Sequence, residues 1–209
     1  MNYCQFVQSF DNHNVHKLYH DEHYGFPLDD DNALFGRFLL EINQAGLSWE
    51  LMLKKQQNFY RAYAGFDIAK VAAFTQADRE RLQQDAGIIR NRLKINAAIV
   101  NAQRILLLQQ EYGSFKQWLD AHHPLSLDEW LKLFKRNFKF VGREIVHEFL
   151  MSTGYLPGAH HPDCPIYAKV IAAKPAWFKT QAADGASFKK KYSSACLPKE
   201  QSKPPSSFD

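Results

Sequence analysis

The sequence predicts an all-α fold. Three observations support this. Apolar residues recur at helical spacing along most of the chain, period-two alternation is never sustained, and good capping residues stand where each stripe begins. Apolar side chains make up 45% of the 209 residues, enough for one domain with a proper core.

The helices follow in order. Asp29-Asp30-Asp31 supplies an N-cap and negative charge for a helix whose stripe is Leu34, Phe35, Phe38, Leu39 and Ile42, ending before Gly46. Ser48 to Tyr63 reads as a second helix with Leu51, Phe59 and Tyr60 inward, and Asp67 to Phe74 as a short third. Thr75 caps Gln76 to Asp85, which Gly87 terminates. Ile88 to Tyr112 is a long helical segment rich in Ala and Ile. Ser114 caps Phe115 to Ala121, and Pro124 ends that stretch. Ser126 with Glu129 forms a capping box that opens a helix to about Arg136. Gly142 to Thr153 completes the set, and Gly154 stops it.

Beyond Tyr167 the periodicity decays. Residues 169–209 hold eight Lys against Asp184, Glu200 and Asp209, with Lys189-Lys190-Lys191 and Pro204-Pro205 among them. The reading is a domain over residues 1–168 followed by a basic, disordered tail. Without that tail the body carries 18 basic and 19 acidic groups, so any nucleic-acid face must be a local patch rather than a global charge. Three cysteines, Cys4, Cys164 and Cys196, do not make a disulfide scaffold. Met1 to Val15 is polar, without a signal-peptide core, and no apolar run spans a bilayer, which points to a soluble cytoplasmic protein.

Four features carry chemistry. Glu41 interrupts the apolar stripe of its helix, on the face of Leu34 and Phe38. A carboxylate there sits at the edge of the stripe, caps a nearby backbone amide, or is desolvated for a purpose. Gln44, the turn Ala45-Gly46-Leu47-Ser48 and Trp49 follow it, offering close backbone approach and a stacking ring. Cys4, His20, His160 and Cys164 form a closed ligand set suited to structural zinc, with His161 an alternative to His160, although this spacing matches no finger pattern. The run Asp85-Ala86-Gly87-Ile88-Ile89, followed by Arg90, Asn91, Arg92 and Lys94, is either a phosphate-binding helix start or an ordinary turn with a solvated charged face. Lys132, Lys135, Arg136, Lys139 and Arg143 interleave with Phe134, Phe138 and Phe140, as a second basic surface or as lysines between core rings.

Taken together, in this order, these runs resemble the DNA-3-methyladenine glycosylase I family. The matching segments are Cys4, Tyr19-His20-Asp21 with Gly25 and Pro27, Asn43-Gln44-Ala45-Gly46-Leu47-Ser48-Trp49, Asp85 to Arg92, Phe138-Lys139-Phe140-Val141-Gly142, and His160 with Cys164. The resemblance covers nearly all of Met1 to Pro165. It implies a helix-hairpin-helix fold with the hairpin at Asp85 to Ile89, and a structural zinc on Cys4, His20, His160 and Cys164 that pins the chain ends together. It further implies a base pocket of Glu41, Tyr19 and Trp49, with Gly46 and Leu47 entering the duplex.

Departures fall around that pocket: His23-Tyr24-Gly25 replaces the family's glutamate–tryptophan–glycine, His16 stands for a tyrosine, Phe6 for a Trp and Asn137 for a glycine. Tyr24 keeps an aromatic ring. The implied activity is monofunctional release of 3-methyladenine from double-stranded DNA by a monomer. Glu41 recognises the base, Tyr19, Tyr24 and Trp49 bind it, and Gly46, Leu47, Gly87, Arg90, Asn91 and Arg92 contact DNA. A non-catalytic module that binds lesions through the same fold is the alternative.

Overall fold

The computed structural model describes residues 2–183. Among them there is no strand. Twelve α-helices and one 3-10 turn follow in order: α1 Tyr3–Val7, α2 Val15–Glu22, α3 Asp31–Gln44, α4 Trp49–Ala62, the turn Ala64–Phe66, α5 Ile68–Ala72, α6 Gln76–Gln84, α7 Arg92–Tyr112, α8 Phe115–His122, α9 Leu127–Asn137, α10 Arg143–Ser152, α11 Tyr167–Ala172 and α12 Ala176–Ala183. All-α is therefore the observed class.

Helix α3 is the hub. It packs against α4, α5, α7, α8 and α10, and its residues from Leu34 to Asn43 are buried apart from Arg37. Phe38 sits among Phe134, Phe138 and Phe149 at centroid distances of 5.7, 5.2 and 5.1 Å. Emptying such an aromatic site costs about 3–5 kcal/mol. The acidic run before α3 divides its labour. Asp30 caps α3 by accepting from the Ala33 amide at 2.7 Å. Asp31 accepts from the Phe115 and Lys116 amides at 2.7 and 2.9 Å, so it fastens the start of α8 to the hub. The cap at Thr75 and the capping box at Ser126 form as expected, and Thr75 also closes a box with Asp78.

Three expectations need correction. The long helix starts at Arg92 rather than Ile88, because Asn91 turns back to cap the Leu93 and Lys94 amides and leaves residues 85–91 as a loop. Tyr60 points outward and is 49% exposed, its ring packed edge-on to Phe66. Order also continues past residue 168: α11 and α12 bury Val170 and Trp177, and the Trp177 amide donates to the Gly154 carbonyl at 3.2 Å. Val170 joins Cys4, Cys164 and Ile166 in a small cluster that brings the two ends of the described chain together. The Lys-rich and Pro-rich run of the expected tail lies outside the described residues.

Candidate active site

One cavity of about 430 Å³ is lined by Tyr3, Tyr19, Tyr24, Glu41, Gln44, Trp49, Glu144 and Glu148. Five helices and one turn build it. Tyr3 comes from α1, Tyr19 from α2 and Tyr24 from the turn after α2. Glu41 and Gln44 sit near the end of α3, Trp49 opens α4, and Glu144 and Glu148 come from α10. The three tyrosines and Trp49 form a continuous ring wall. Tyr19 lies 5.1 Å from Trp49 and 5.5 Å from Tyr24, and Tyr24 meets Tyr3 edge-on at 5.5 Å.

Glu41 is 3% exposed. It makes no hydrogen bond or ion pair with any other described residue, although it borders open space. Burial pushes its carboxyl up to about 8, the Arg37 guanidinium draws it down, and the Glu148 carboxylate raises it further. Arg37, one helical turn before Glu41, is committed elsewhere. Its Nη1 donates to the Tyr19 hydroxyl at 2.9 Å, and its guanidinium lies 4.8 Å over the Tyr19 ring. Tyr19 is thereby fixed from behind, and burial holds its hydroxyl neutral. The Trp49 indole N–H is buried without a partner at the same wall. Glu41 and Trp49 therefore line one aromatic cavity, the acid without a hydrogen-bond partner among the described residues and the indole N–H buried without one.

At the rim, Gly46 adopts φ +80° with open space around it, and Leu47 is 38% exposed. This loop is held from below. Lys94 is buried, and its ammonium donates to the Asn43 and Ala45 carbonyls at 2.8 and 2.7 Å, satisfying the orphan end of α3. Lys94 therefore does not face solvent with Arg90 and Arg92, as the basic run suggested. Phe140, at φ +57°, covers Lys94 at 5.7 Å, while Asn101 holds the Lys139 backbone through bonds of 2.7 and 3.1 Å. The Phe138 to Gly142 motif thus supports the loop beside the cavity.

The loop at 85–91 joins α6 to α7. Its Ala86 and Gly87 carbonyls accept from Lys55 of α4, each at 3.0 Å, and the Gly87 amide donates to Asp85 Oδ1 at 2.7 Å. Arg90, Asn91 and Arg92 are exposed, and neither arginine has an ion-pair partner among the described residues. The Asn91 side chain serves as the cap of α7. In the other basic run, Phe134 and Phe138 are core rings, whereas Lys132, Lys135, Arg136, Lys139 and Arg143 are exposed. Arg143 pairs with Asp128.

Behind the cavity, Cys4, His20, His160 and Cys164 are all buried, and their donor atoms lie within 4.8 Å of one another. Cys164 Sγ is 3.7 Å from both His20 Nε2 and His160 Nδ1, Cys4 Sγ is 3.9 Å from His160 Nδ1, and the two imidazole nitrogens are 3.1 Å apart. Edges of a tetrahedron around zinc, built from ordinary Zn–S and Zn–N bonds, are about 3.3–3.8 Å. The set fits such an ion. Each histidine also has its far nitrogen occupied: His20 Nδ1 meets Asp21 Oδ1 at 2.7 Å and His160 Nε2 meets the Tyr24 carbonyl at 2.7 Å. Burial keeps His160 neutral, down to about 4, which suits a ligand. His161 is exposed and turned away. Tyr19 and Tyr24 thus adjoin the cluster through the chain and through a hydrogen bond.

Sequence reasoning named Tyr19, Tyr24, Glu41, Gln44 and Trp49, and the structure brings all five together. It missed Tyr3, Arg37, Glu144 and Glu148. Arg37 was open to discovery, since it precedes Glu41 by four residues on one helix face. Glu148 gave no comparable signal. His16 does not line the cavity; it lies behind Tyr3, with the Tyr3 hydroxyl 3.0 Å from His16 Nδ1.

Known proteins share this arrangement of sequence. A profile of the family described as methyladenine glycosylase matches residues 9–129. DNA-3-methyladenine glycosylase 1 of Escherichia coli K12 is 40% identical over 170 residues, covering 71% of this chain and 89% of that protein. The solved 3-methyladenine DNA glycosylase I of Staphylococcus aureus, studied for 3-methyladenine recognition, superposes with a TM-score of 0.71 at 34% identity, covering 79% of this chain and 96% of that one. A Tyr-to-Phe variant of a 3-methyladenine DNA glycosylase I, solved with 3-methyladenine, gives 0.70 at 33% identity, covering 79% and 97%.

Proposed function

This chain belongs to the methyladenine glycosylase family, and from that premise we propose that it hydrolyses the N-glycosidic bond of 3-methyladenine in double-stranded DNA. The observation that carries the reading is Glu41: a buried carboxyl without a partner, beside four aromatic rings and open space of the size small-molecule sites use.

The chemistry follows from the lesion. 3-Methyladenine attached to deoxyribose is a cation and leaves readily, so the protein needs to bind and orient it more than to activate it. The extruded base enters between Trp49 and the tyrosines. Ionised Glu41 accepts hydrogen bonds from the adenine edge and stabilises its charge, and the free Trp49 N–H offers a donor. Arg37 keeps Tyr19 in place as a polar contact. Water attacks the anomeric carbon as the glycosidic bond breaks. Among the described residues no lysine lines the cavity, and the buried Lys94 amine is engaged by two carbonyls, which supports a monofunctional hydrolase.

DNA is held by the helix-hairpin-helix α6–loop–α7, where Gly87, Arg90, Asn91 and Arg92 meet phosphates. Gly46 and Leu47 fill the space that the flipped nucleotide leaves. Cys4, His20, His160 and Cys164 hold a structural zinc that joins the chain ends and braces the Tyr19–Tyr24 wall. The protein acts as a monomer in the cytoplasm. Among the described residues, no helix is long and apolar enough to cross a membrane.

A base-release assay on methylated DNA, with products identified by chromatography, tests this. The intact chain releases 3-methyladenine without strand cleavage, and Glu41→Gln slows release about a hundredfold or more. Binding of methylated duplex without release would favour the lesion-binding module. Unchanged release by Glu41→Gln would remove Glu41 from the central role.

A further inference from the structure

We propose that Glu148 is a second recognition carboxylate of the cavity, a specificity residue that selects a positively charged purine over a neutral one. This rests on the glycosylase reading for its substrate but on separate observations for its role. Among the described residues the cavity lining comprises four aromatic residues, one amide and three carboxylates, with no Lys, Arg or His. Hydrogen bonding to an adenine edge needs only one acceptor. Collecting more negative charge in the same space is unfavourable by itself and becomes useful when the ligand brings a positive charge.

Glu148 and Glu41 line the same cavity and act on each other electrostatically, because α10 packs directly on α3. The electrostatics place both acids around the same rings: Tyr19 and Tyr24 each feel Glu41 and Glu148 together. Neither acid has an ion-pair partner among the described residues. Glu148 has one hydrogen bond, from the Tyr24 hydroxyl at a long 3.4 Å, and no ion pair among the described residues. The groups that act on it are few. Glu144 and His147 stand on its own helix, and Tyr24 contacts it from the turn after α2. Glu41 acts on it from α3. The guanidinium nearest Glu41, Arg37, is engaged by Tyr19 and stays outside the lining. A flat cation held between the rings would meet a carboxylate from α3 and another from α10, which is how two walls can read charge as well as shape.

The alternative is that Glu148 merely anchors the Tyr24 hydroxyl. Two variants of the full chain separate these roles. Glu148→Gln removes the charge but keeps an oxygen to accept from Tyr24, whereas Tyr24→Phe removes the hydrogen bond and keeps the charge. The probes are 3,9-dimethyladenine, a fixed cation, and 3-methyladenine at a pH where the free base is neutral. Affinities are measured by quenching of tryptophan fluorescence, with melting temperature as the control for folding. The wild-type chain should prefer the cation by about tenfold or more. That ratio should collapse toward one in Glu148→Gln, persist in Tyr24→Phe and be largely restored in Glu148→Asp. A ratio unchanged in folded Glu148→Gln overturns the proposal, as does its loss in Tyr24→Phe alone. If Glu148→Gln does not fold, the Tyr24→Phe and Glu148→Asp ratios decide. Cation preference without any base release from methylated DNA would sink the glycosylase reading and leave Glu148 as assigned.

Discussion

The cavity and the Cys/His cluster lie back to back, share the Tyr19–Tyr24 segment, and treat their polar atoms in opposite ways. In the cluster every donor is engaged. Two sulfurs and two imidazole nitrogens converge, and the far nitrogens of His20 and His160 rest on Asp21 and the Tyr24 carbonyl. In the cavity Glu41 and the Trp49 N–H are buried with nothing attached. Folding alone would explain the cluster, since an ion held by such a closed ligand set would return its burial cost as binding energy. Folding does not explain the cavity, where burial without partners lowers stability. Between these two sites, satisfied polar groups mark the one that holds the chain ends together and unsatisfied ones the one open to a ligand; the Tyr63 hydroxyl and Trp130 N–H, also without partners, belong to the core.

The sharpest way to break that division is to open the cluster. Cys164→Ala leaves three ligands and a buried hole at the junction of the chain ends. It should lower the melting temperature by about 10 °C, the shift expected for roughly 3 kcal/mol or more in a chain of this size. A strong chelator should do the same to the wild-type chain, releasing one zinc per protein by metal analysis. Loss of base release at an unshifted melting temperature would show instead that the cluster takes part in the chemistry.

Glu41 should behave in the opposite sense. Its carboxyl lies near 8 in the folded chain, above its ordinary value of 4.5, and burial is the main cause. The folded state therefore holds the Glu41 proton more tightly than the unfolded state does. That stability is fully present below about pH 4.5 and is lost as pH rises through about 8. Glu41→Gln, which cannot ionise, should match wild type in melting temperature at pH 4.5. At pH 8.5 it should exceed wild type, by on the order of 2–4 kcal/mol. The variant would then be more stable and less active. The kcat/KM of the wild type should rise with pH toward a plateau above about 8, because the ionised acid is the form that meets the cation. An identical melting profile for the two proteins from pH 4.5 to 8.5 would mean that Glu41 is not desolvated in solution.

Sequence reading recovered the two sites unequally, for physical reasons. Glu41 was legible because an acid within an apolar stripe violates a local pattern, and the glycine turn and Trp49 followed within eight residues. The core helices were legible from their stripes and caps. The cluster was not derivable from spacing, because its ligands lie 140 and more residues apart between Cys4 or His20 and Cys164. Residue type offered the four as a weak grouping, and the likeness to a family is what joined them as one site. Helices α1, α2, α11 and α12 have five to eight residues, too few to show a periodic face, so the ordered chain extends further at both ends than its pattern suggested. Glu148 stayed hidden because nothing in the local pattern of α10 sets it apart; what makes it a lining residue is the packing of α10 on α3. Lys94 misled in the reverse direction, grouped by sequence with exposed arginines one turn away yet folded beneath the rim loop.

The smallest expected effect concerns those arginines, which extend the contrast from buried atoms to the surface. Arg90 and Arg92 are exposed, lack ion-pair partners among the described residues, and flank the start of a 21-residue helix whose cap is Asn91. If each neutralises one phosphate, every contact releases condensed counterions and adds about 0.9 to the slope of log affinity against log salt. The double variant Arg90→Ala/Arg92→Ala should reduce that slope by about 2, and weaken duplex binding about tenfold near physiological salt. Binding of free 3-methyladenine, which needs only the cavity, should not change, and neither should the melting temperature, since no side-chain contact within the protein is lost. The measurement is a salt titration of duplex binding by fluorescence anisotropy beside a free-base titration. An unaltered slope would show that DNA lies elsewhere, with the exposed Lys132, Lys135 and Lys139 as the next face to examine. A slope change accompanied by loss of free-base binding would show that the hairpin and the cavity are coupled rather than separate, and the division drawn between surface and pocket would then fail.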